Sequence, residues 1–220
     1  MINVVLVDDH DLVRTGIKRL LEDSKAIKVV AEMATGEDAV AYCRQNEPDV
    51  ILMDVNMPGI GGLEATRKIL RYKPHLKLIV LTVQAEEPFP TTVMQIGASG
   101  FLTKNTPPEE MIQAIRAVKS GQRYITPEIA QTMALSSFSK KDESPLASLS
   151  DRELQIMMMI TRGEKVVSIS EKLSLSSKTV NSYRYRMFEK LSVSNDVELT
   201  HLAIRYGLLR TDDVQLKHGK

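Results

Sequence analysis

Short apolar segments alternate with amphipathic segments over the first half of the chain. The apolar segments predict strands at Ile2–Val7, Val29–Met33, Val50–Met53, Leu78–Leu81 and Gly100–Leu102. The segments that follow them carry apolar residues at helical spacing and predict helices at Asp11–Glu22, Glu37–Gln45, Gly62–Arg71, Pro90–Ile96 and Pro108–Ser120. Strands that are apolar on both faces and rich in β-branched residues belong to sheets covered by helices on both sides. The alternation therefore predicts a doubly wound α/β domain with a five-stranded parallel sheet.

The pattern changes in the second half, where strand-like segments disappear. Helical spacing predicts a connecting helix at Pro127–Phe138 and four further helices at Asp151–Thr161, Val167–Leu173, Ser177–Leu191 and Val197–Tyr206. The segment Ser139–Ser148 is polar, charged and interrupted by Pro145, as flexible linkers are. We therefore expect an α/β domain at 1–122, a connecting helix and linker at 123–148, a small all-α four-helix domain at 149–209 and a polar tail at 210–220.

Composition narrows the class of protein only slightly. The 220 residues are enough for two small domains, and the formal net charge is +1, with the basic excess in the last third. The only cysteine, Cys43, excludes an intramolecular disulfide and fits a reducing compartment. The sequence carries neither a long uncharged apolar run nor a signal-peptide pattern, so we expect a cytoplasmic protein without direct membrane binding.

Polar residues follow four of the five predicted strands. Asp8 and Asp9 come after the first strand, Asp54 after the third, Thr82 after the fourth and Lys104 shortly after the fifth. Because the carboxyl ends of parallel strands meet at one edge, these side chains are expected to lie together. Three carboxylates repel unless a cation neutralises them, and oxygen ligands at a wet edge favour Mg²⁺. Each residue alone could cap a helix, but the whole set indicates phosphoryl transfer to a carboxylate.

The motifs around these residues resemble the receiver domain of two-component response regulators. The resemblance rests on Asp8-Asp9, the run from Met53 to Gly59, Leu81-Thr82 and the run from Gly97 to Lys104. It covers roughly the first half of the chain. One departure is Asn105, which stands where many receivers have a proline after the lysine.

The receiver resemblance implies a role for each matching residue. It makes Asp54 the phosphoacceptor, with Asp8, Asp9, Asp54 and the backbone carbonyl of Asn56 as Mg²⁺ ligands. Lys104 and Thr82 would hold the phosphoryl oxygens. Thr82 and Phe101 would form the switch pair, in which the hydroxyl moves to the phosphoryl group and the ring turns inward. Asn56 and Gln84 would flank the phosphoryl group, tuning the rate at which the chain slowly dephosphorylates itself.

The segment Ser168–Leu191 has the features of a helix-turn-helix. A short helix, a turn at Ser174–Ser176 and a longer helix follow one another, with apolar residues at positions that hold two helices together. The longer helix has a polar, basic side formed by Lys178, Thr179, Asn181, Ser182, Tyr185, Arg186 and Lys190, with Arg184 nearby. Such a side suits the major groove of DNA. Charge alone, however, favours an ordinary solvated face of a small helical bundle.

The motifs of the second half nevertheless favour DNA binding, because they resemble the LuxR-type four-helix DNA-binding domain. The matching runs are Leu149–Glu153, Leu173–Ser176, Lys178–Tyr183 and Lys190-Leu191. A receiver followed by this domain is typical of the NarL/FixJ class, and the runs Thr179–Phe188 and Asp196–Arg205 resemble its GacA/UvrY subgroup. By family position, Asn181, Ser182 and Tyr185 are candidates for base contacts. Lys178, Thr179, Arg184, Arg186 and Lys190 are candidates for phosphate contacts. Asn181 departs from the lysine common in the class.

Together these features predict a transcription regulator switched by phosphorylation of Asp54. The resemblance implies a sensor histidine kinase as donor, in this subgroup a membrane-bound hybrid kinase. It also implies double-stranded DNA as ligand, a homodimer in the phosphorylated state and genes for small regulatory RNAs among the targets. Two alternatives remain: a phosphohydrolase for small substrates, although no substrate-binding insertion separates the strands, and a module that binds RNA or protein.

Overall fold

The structure is a computed structural model that describes residues 1–83, 89–138, 145–206 and 208. Of these residues, 1–83 and 89–133 form one compact unit and the others form a second. Three predicted features lie wholly or partly outside the described residues: Gln84, residues 139–144 of the linker and the polar tail at 210–220.

The first unit contains a parallel sheet with strands in the order β2-β1-β3-β4-β5-β6. The strands are β1 Ile2–Val7, β2 Ile27–Met33, β3 Val50–Asp54, β4 Leu78–Thr82, β5 Gly100–Thr103 and β6 Tyr124–Ile125. The prediction of a doubly wound parallel sheet is confirmed, but its count of five strands is wrong. The additional strand β6 has only two residues, which is too short to show a period in the sequence.

Helices connect these strands and shield the sheet from water. They are α1 Asp11–Glu22, α2 Gly36–Gln45, α3 Gly61–Tyr72, α4 Phe89–Ile96 and α5 Pro108–Lys119, followed by α6 Pro127–Phe138. All five residues of β3 are buried, as expected for a central strand covered on both faces. The register places Val7 of β1 beside Met53 of β3, and Asp54 beside Leu81 of β4. The carboxyl ends of the central strands therefore meet at one edge of the sheet.

The second unit is helical wherever it has regular structure among its described residues. A 3₁₀ helix at Pro145–Ser148 precedes α7 Asp151–Thr161, α8 Val166–Leu173, α9 Ser177–Leu191 and α10 Asp196–Arg205. Within the predicted flexible linker Ser139–Ser148, the last four residues form this 3₁₀ helix, in which Leu146 is buried. None of the described helices is long and apolar enough to cross a membrane.

Local sequence signals fix where the helices of the second unit begin and end. Ser150 and Glu153 form the capping box that starts α7. Ser174 takes a left-handed conformation at the end of α8, which turns the chain sharply before α9. The side chain of Ser176 then accepts a hydrogen bond from the backbone N–H of Thr179 and caps α9. The predicted helix-turn-helix geometry follows from Ser174 and Ser176, which end α8 and start α9.

Candidate functional site

The predicted carboxylates come together at the carboxyl edge of the sheet. Asp8 and Asp54 are fully buried, whereas Asp9 is about one quarter exposed. Ligand atoms of Asp8, Asp9, His10 and Asp54 all lie within 4.8 Å of one another. The pocket therefore concentrates negative charge where two of the three carboxylates cannot be solvated by bulk water.

Lys104 is the cation that faces these acids. Its Nζ lies 2.6 Å from Oδ2 of Asp8 and 2.9 Å from Oδ2 of Asp54. Its backbone N–H donates a hydrogen bond of 2.7 Å to the carbonyl of Thr82, which fixes the residue at the end of β5. Burial works against its charge, but the two carboxylates prevail and raise the pKa of the Lys104 ammonium above its ordinary value. Lys104 is therefore charged at neutral pH and bridges the two buried acids.

Asp54 has an environment in which the ionised form is poorly stabilised. Burial is the main cause that raises the pKa of its carboxyl group, and the charge of Asp8 adds to it. The Lys104 ammonium and the backbone N–H of Asn56, 3.2 Å from Oδ1 of Asp54, act in the opposite direction without cancelling the effect. A carboxylate held this way is weakly solvated and fixed in direction, as a nucleophile toward phosphorus must be.

The loop after β3 is positioned by residues that the sequence interpretation missed. Gly62 is required because a Cβ at this position would lie 1.8 Å from the carbonyl oxygen of Asp54. Glu37, in the first turn of α2, accepts a hydrogen bond of 3.0 Å from the backbone N–H of Ile60. Gly59 has a φ of +80°, and a Cβ there would collide with the same carboxylate. The loop that carries Asn56 is thus held between Asp54 and α2.

His10 and Arg14 also border the pocket. Nδ1 of His10 lies 2.9 Å from Oδ1 of Asp9, and its backbone N–H donates 2.8 Å to Oδ1 of Asp8. Arg14 donates a hydrogen bond to the carbonyl of Asp8. The side chain of His10 is more than half exposed, but its ring contacts the pocket. Its place directly after Asp8-Asp9 was the available signal, whereas Arg14 is brought in by the first turn of α1.

The predicted switch residues occupy neighbouring strands beside the acids. Thr82, at the end of β4, and Phe101, in β5, are both fully buried. The Phe101 ring makes an edge-to-face contact with Phe89 of α4, with ring centres 6.4 Å apart and an interplanar angle of 66°. Packing thus connects a residue beside the pocket edge to α4, the helix that follows β4 in the chain.

The side of α9 predicted to face DNA is open to water. Lys178, Ser182, Tyr185 and Arg186 are exposed, and Thr179 and Asn181 are half-buried. The opposite side, with Val180, Met187 and Leu191, is buried in the helical unit. Helical geometry places residues 178, 181, 182 and 185 along one stripe. The arrangement combines hydroxyl, amide and basic groups on a surface that can enter a groove.

Two of the predicted phosphate contacts are engaged within the unit. Nε and Nη2 of Arg184 lie 2.6 and 2.7 Å from the two carboxylate oxygens of Asp196 in α10. Nζ of Lys190 donates to Oε2 of Glu153 at 2.7 Å and to the carbonyl of Ser148 at 2.9 Å. Arg184 and Lys190 therefore differ from Arg186, whose guanidinium lies over the Tyr183 ring at 4.5 Å on an exposed part of the helix.

Known proteins share both units. Residues 4–116 match the response regulator receiver domain, and residues 147–203 match the luxR family of bacterial regulatory proteins. The chain is 64% identical to the response regulator UvrY of Escherichia coli (strain K12), with 96% of this chain and 98% of UvrY covered. It is 59% identical to the response regulator GacA of Pseudomonas aeruginosa, with 95% and 98% covered. A structure of RcsB from Salmonella enterica serovar Typhimurium, bound to promoter P1flhDC in the presence of the phosphomimetic BeF3-, has a TM-score of 0.74 at 26% identity, with 91% of this chain and 97% of RcsB covered.

The chain belongs to the response regulators that join a receiver domain to a LuxR-type DNA-binding domain. The predicted family is therefore confirmed. Membership of this family makes the chain a transcription regulator of a two-component system, with a histidine kinase and DNA as its partners. It also sets the chain apart from enzymes that turn over small substrates.

Proposed function

We propose that the chain accepts a phosphoryl group on Asp54 and, in the phosphorylated state, binds promoter DNA as a dimer through α9. The observation that carries the first part is the buried Asp54 carboxylate, held by Lys104 on one oxygen and by the backbone N–H of Asn56 on the other. In the transfer, one carboxylate oxygen forms a bond to phosphorus while the donor's bond to phosphorus breaks. The donor is a phosphorylated sensor histidine kinase, which we expect to be a membrane-bound hybrid kinase.

The donor set of the pocket fits Mg²⁺. Three carboxylates face one lysine, which leaves an excess of negative charge in a largely buried site. Mg²⁺ prefers oxygen ligands and commonly binds through one or two carboxylates together with phosphate oxygens. We propose that Asp8, Asp9, Asp54 and the backbone carbonyl of Asn56 hold it. When bound, the ion neutralises the acids and the charge of the incoming phosphoryl group.

Residues around Asp54 then determine the lifetime of the phosphoryl group and the structural response to it. Lys104, already charged, donates to a phosphoryl oxygen in place of one of its carboxylate contacts. The Thr82 hydroxyl donates to another oxygen, and Phe101 adjusts its packing on Phe89, so that the change reaches α4. By their positions in the family motif, Asn56 and Gln84 would set the rate of slow autodephosphorylation. Such a local charge change needs a bistable element to act at a distance.

The output part of the proposal rests on the exposed side of α9. Asn181, Ser182 and Tyr185 contact base edges, and Lys178, Thr179 and Arg186 contact phosphates. We assign the receiver to residues 1–122, the connecting helix and linker to 123–148, and the DNA-binding domain to 149–209. The solved RcsB complex with promoter DNA supports a similar output here. Through the likeness to UvrY and GacA, we propose genes for small regulatory RNAs among the targets.

Phosphoryl acceptance can be tested by incubating the chain with acetyl phosphate and Mg²⁺ and measuring the intact mass. The wild type is expected to gain one phosphoryl group, and Asp54→Asn is expected to gain none, because the amide is not an anionic nucleophile. Asp11→Asn is the matched control, since Asp11 is an exposed acid just outside the pocket. Equal phosphorylation of the wild type and Asp54→Asn would overturn the assignment of Asp54.

A second test concerns the nucleic acid. The phosphorylated chain is expected to shift duplex DNA in a gel and to leave an RNA duplex of the same sequence unbound. Preference for the RNA would replace DNA by RNA as the ligand. Turnover of p-nitrophenyl phosphate at a rate far above that of Asp54→Asn would instead support a phosphohydrolase.

A further inference from the structure

Arg184 of α9 makes both an ion pair and a ring contact within the helical unit. Its guanidinium makes a two-pronged ion pair with Asp196, at distances of 2.6 and 2.7 Å. The same group also lies over the Phe188 ring, 5.3 Å from the ring centre. Its side chain is about one quarter exposed. A planar guanidinium held by a carboxylate fork and an aromatic ring has a fixed orientation, unlike a mobile surface cation.

Asp196 lies at the capped start of α10, with its side chain a little under half exposed. It is the first residue of α10, where Asn195 caps the helix by accepting hydrogen bonds from the backbone N–H groups of Val197 and Glu198. A carboxylate in the first turn is also favoured by the partial positive charge of the helix N-terminus. Leu199 and Ala203 anchor α10 in the core of the unit. Arg184 of α9 is thus joined to a second helix that is itself packed in the core of the unit.

The position of Arg184 along α9 links its ion pair to the orientation of the side that is predicted to bind DNA. Arg184 and Phe188 lie one turn apart on one side of the helix, and the stripe that carries Asn181 and Tyr185 is adjacent to that side. Rotation of α9 about its axis would break the two-pronged pair and would move the adjacent stripe relative to a groove. A partly exposed ion pair adds little to overall stability, so its removal is expected to leave the melting temperature unchanged.

We infer that Arg184 is a positioning residue for DNA recognition, which acts through Asp196 and does not contact a phosphate. Together with the buried side of the helix, its pair with Asp196 holds α9 at the rotation at which Asn181, Ser182 and Tyr185 meet the base edges. This inference rests on the proposed function, because it specifies how the DNA-binding side of α9 is oriented. It removes Arg184 from the predicted phosphate contacts and leaves Arg186 among them.

Asp196→Asn gives the sharpest test, because a phosphate contact by Arg184 and a positioning role of Arg184 predict different changes in DNA affinity. If Arg184 contacted a phosphate, removing a nearby negative charge would leave DNA affinity unchanged or raise it. If Arg184 positions α9, Asp196→Asn weakens specific binding by roughly three- to fivefold, which is about 0.6–1 kcal/mol. Binding is measured with the full chain, phosphorylated with acetyl phosphate and Mg²⁺. The probes are a duplex selected from a random pool by the wild type and a scrambled duplex of equal length.

Three further readouts separate positioning from loss of folding or of charge. Arg184→Gln and the double variant with Asp196→Asn are expected to lose specific affinity by the same factor as the single change, since they break one pair. The affinity for the scrambled duplex and the salt dependence are expected to stay at the wild-type level. In the matched control Arg186→Gln, both fall, because a phosphate contact is lost. A variant that had merely unfolded would lose both duplexes alike, a result ruled out beforehand by an unchanged melting temperature.

The inference is overturned if Asp196→Asn binds the selected duplex as well as the wild type or better. It is equally overturned if Arg184→Gln lowers the salt dependence as Arg186→Gln does, or if the two single effects add. These outcomes differ from failure of the proposed function, in which the phosphorylated wild type would show no preference for the selected duplex.

Discussion

The charged residues of the receiver pocket are largely buried, whereas those on the exposed side of α9 are in contact with water. In the pocket, Asp8 and Asp54 are removed from water and balanced at short range by Lys104. On α9, Lys178 and Arg186 are exposed, where water and salt weaken their fields. When one buried charge is removed, its partner is left unpaired, so the geometry and stability of the pocket depend on each residue. Exposed charges contribute jointly to binding, and each can be replaced without loss of the whole interaction. The first arrangement suits covalent chemistry at one atom, and the second suits reversible binding to a polyanion.

The largest expected effect comes from removing the buried cation. Lys104→Met leaves Asp8 and Asp54 facing each other without compensation, and we expect the receiver to lose about 3–5 kcal/mol of unfolding free energy at neutral pH. The matched control is Lys119→Met, which removes a partner of Asp49 on the surface and should cost less than about 1 kcal/mol. Urea unfolding of the two variants measures the difference. Equal costs would contradict the contrast between buried and exposed charge.

A second prediction concerns the backbone that supports the acceptor. Gly62→Ala forces a methyl group to within 1.8 Å of the Asp54 carbonyl unless the chain shifts, and we expect a loss of about 3 kcal/mol with slower phosphoryl acceptance. Gly16→Ala is the control, because a Cβ at this position of α1 meets nothing within 4 Å. The control should gain about 0.5–1 kcal/mol, since alanine is the better helix former. Thermal unfolding distinguishes the two signs, and a harmless Gly62→Ala would sink this account of the loop.

On α9, two substitutions are expected to fail in different ways. Asn181→Ala should cost roughly 1–3 kcal/mol on a specific site and little on random DNA, because a base contact is lost. Arg186→Ala should weaken all duplexes alike and lower the salt dependence by about one unit of slope. Salt titrations on both kinds of duplex separate these patterns. Identical behaviour of the two variants would show that the exposed stripe is not divided into base and phosphate contacts.

The smallest expected effect lies at a buried carboxylate of the DNA-binding unit. Burial alone would raise the pKa of Glu153, but Lys190 and the donors of Ser150 hold that pKa below its ordinary value. The ionised Glu153 therefore stabilises the fold above the pKa of the unfolded chain, and this contribution is lost as the pH falls through the folded pKa. Glu153→Gln should cost about 1 kcal/mol near pH 7 and nothing in acid. Melting curves between pH 2.5 and pH 7 check this, and a cost independent of pH would contradict it.

The two regions also differ in how far the sequence predicted them. The sequence predicted that five polar residues lie close together, because a parallel sheet brings strand ends to one edge whatever the side chains are. These residues are Asp8, Asp9, Asp54, Thr82 and Lys104. Glu37 and Gly62 were missed, since their roles depend on where a loop folds back against α2 and α3.

On α9, the sequence predicted which side is exposed but not which cations are free for DNA. The partners of Arg184 and Lys190 lie on α10 and α7, at separations of 12 and 37 residues. Helical spacing reports the face of one helix and carries no information on such partners. The two-residue β6 was missed for a different reason, because it is too short to show alternation.

We propose that phosphorylation of Asp54 increases DNA affinity through dimerisation. Two tethered DNA-binding domains would meet two half-sites at a raised effective concentration. The most direct measurement follows mass by light scattering and affinity for a two-half-site duplex on the same samples, as the phosphorylated fraction is raised with acetyl phosphate and Mg²⁺. In the wild type, the dimer fraction and the DNA affinity are expected to rise together. Asp54→Asn is expected to stay monomeric and to bind DNA weakly. Thr82→Ala is expected to be phosphorylated but to show little increase in dimerisation or DNA affinity. A phosphorylated wild type that remains a monomer and gains no affinity would contradict this proposal.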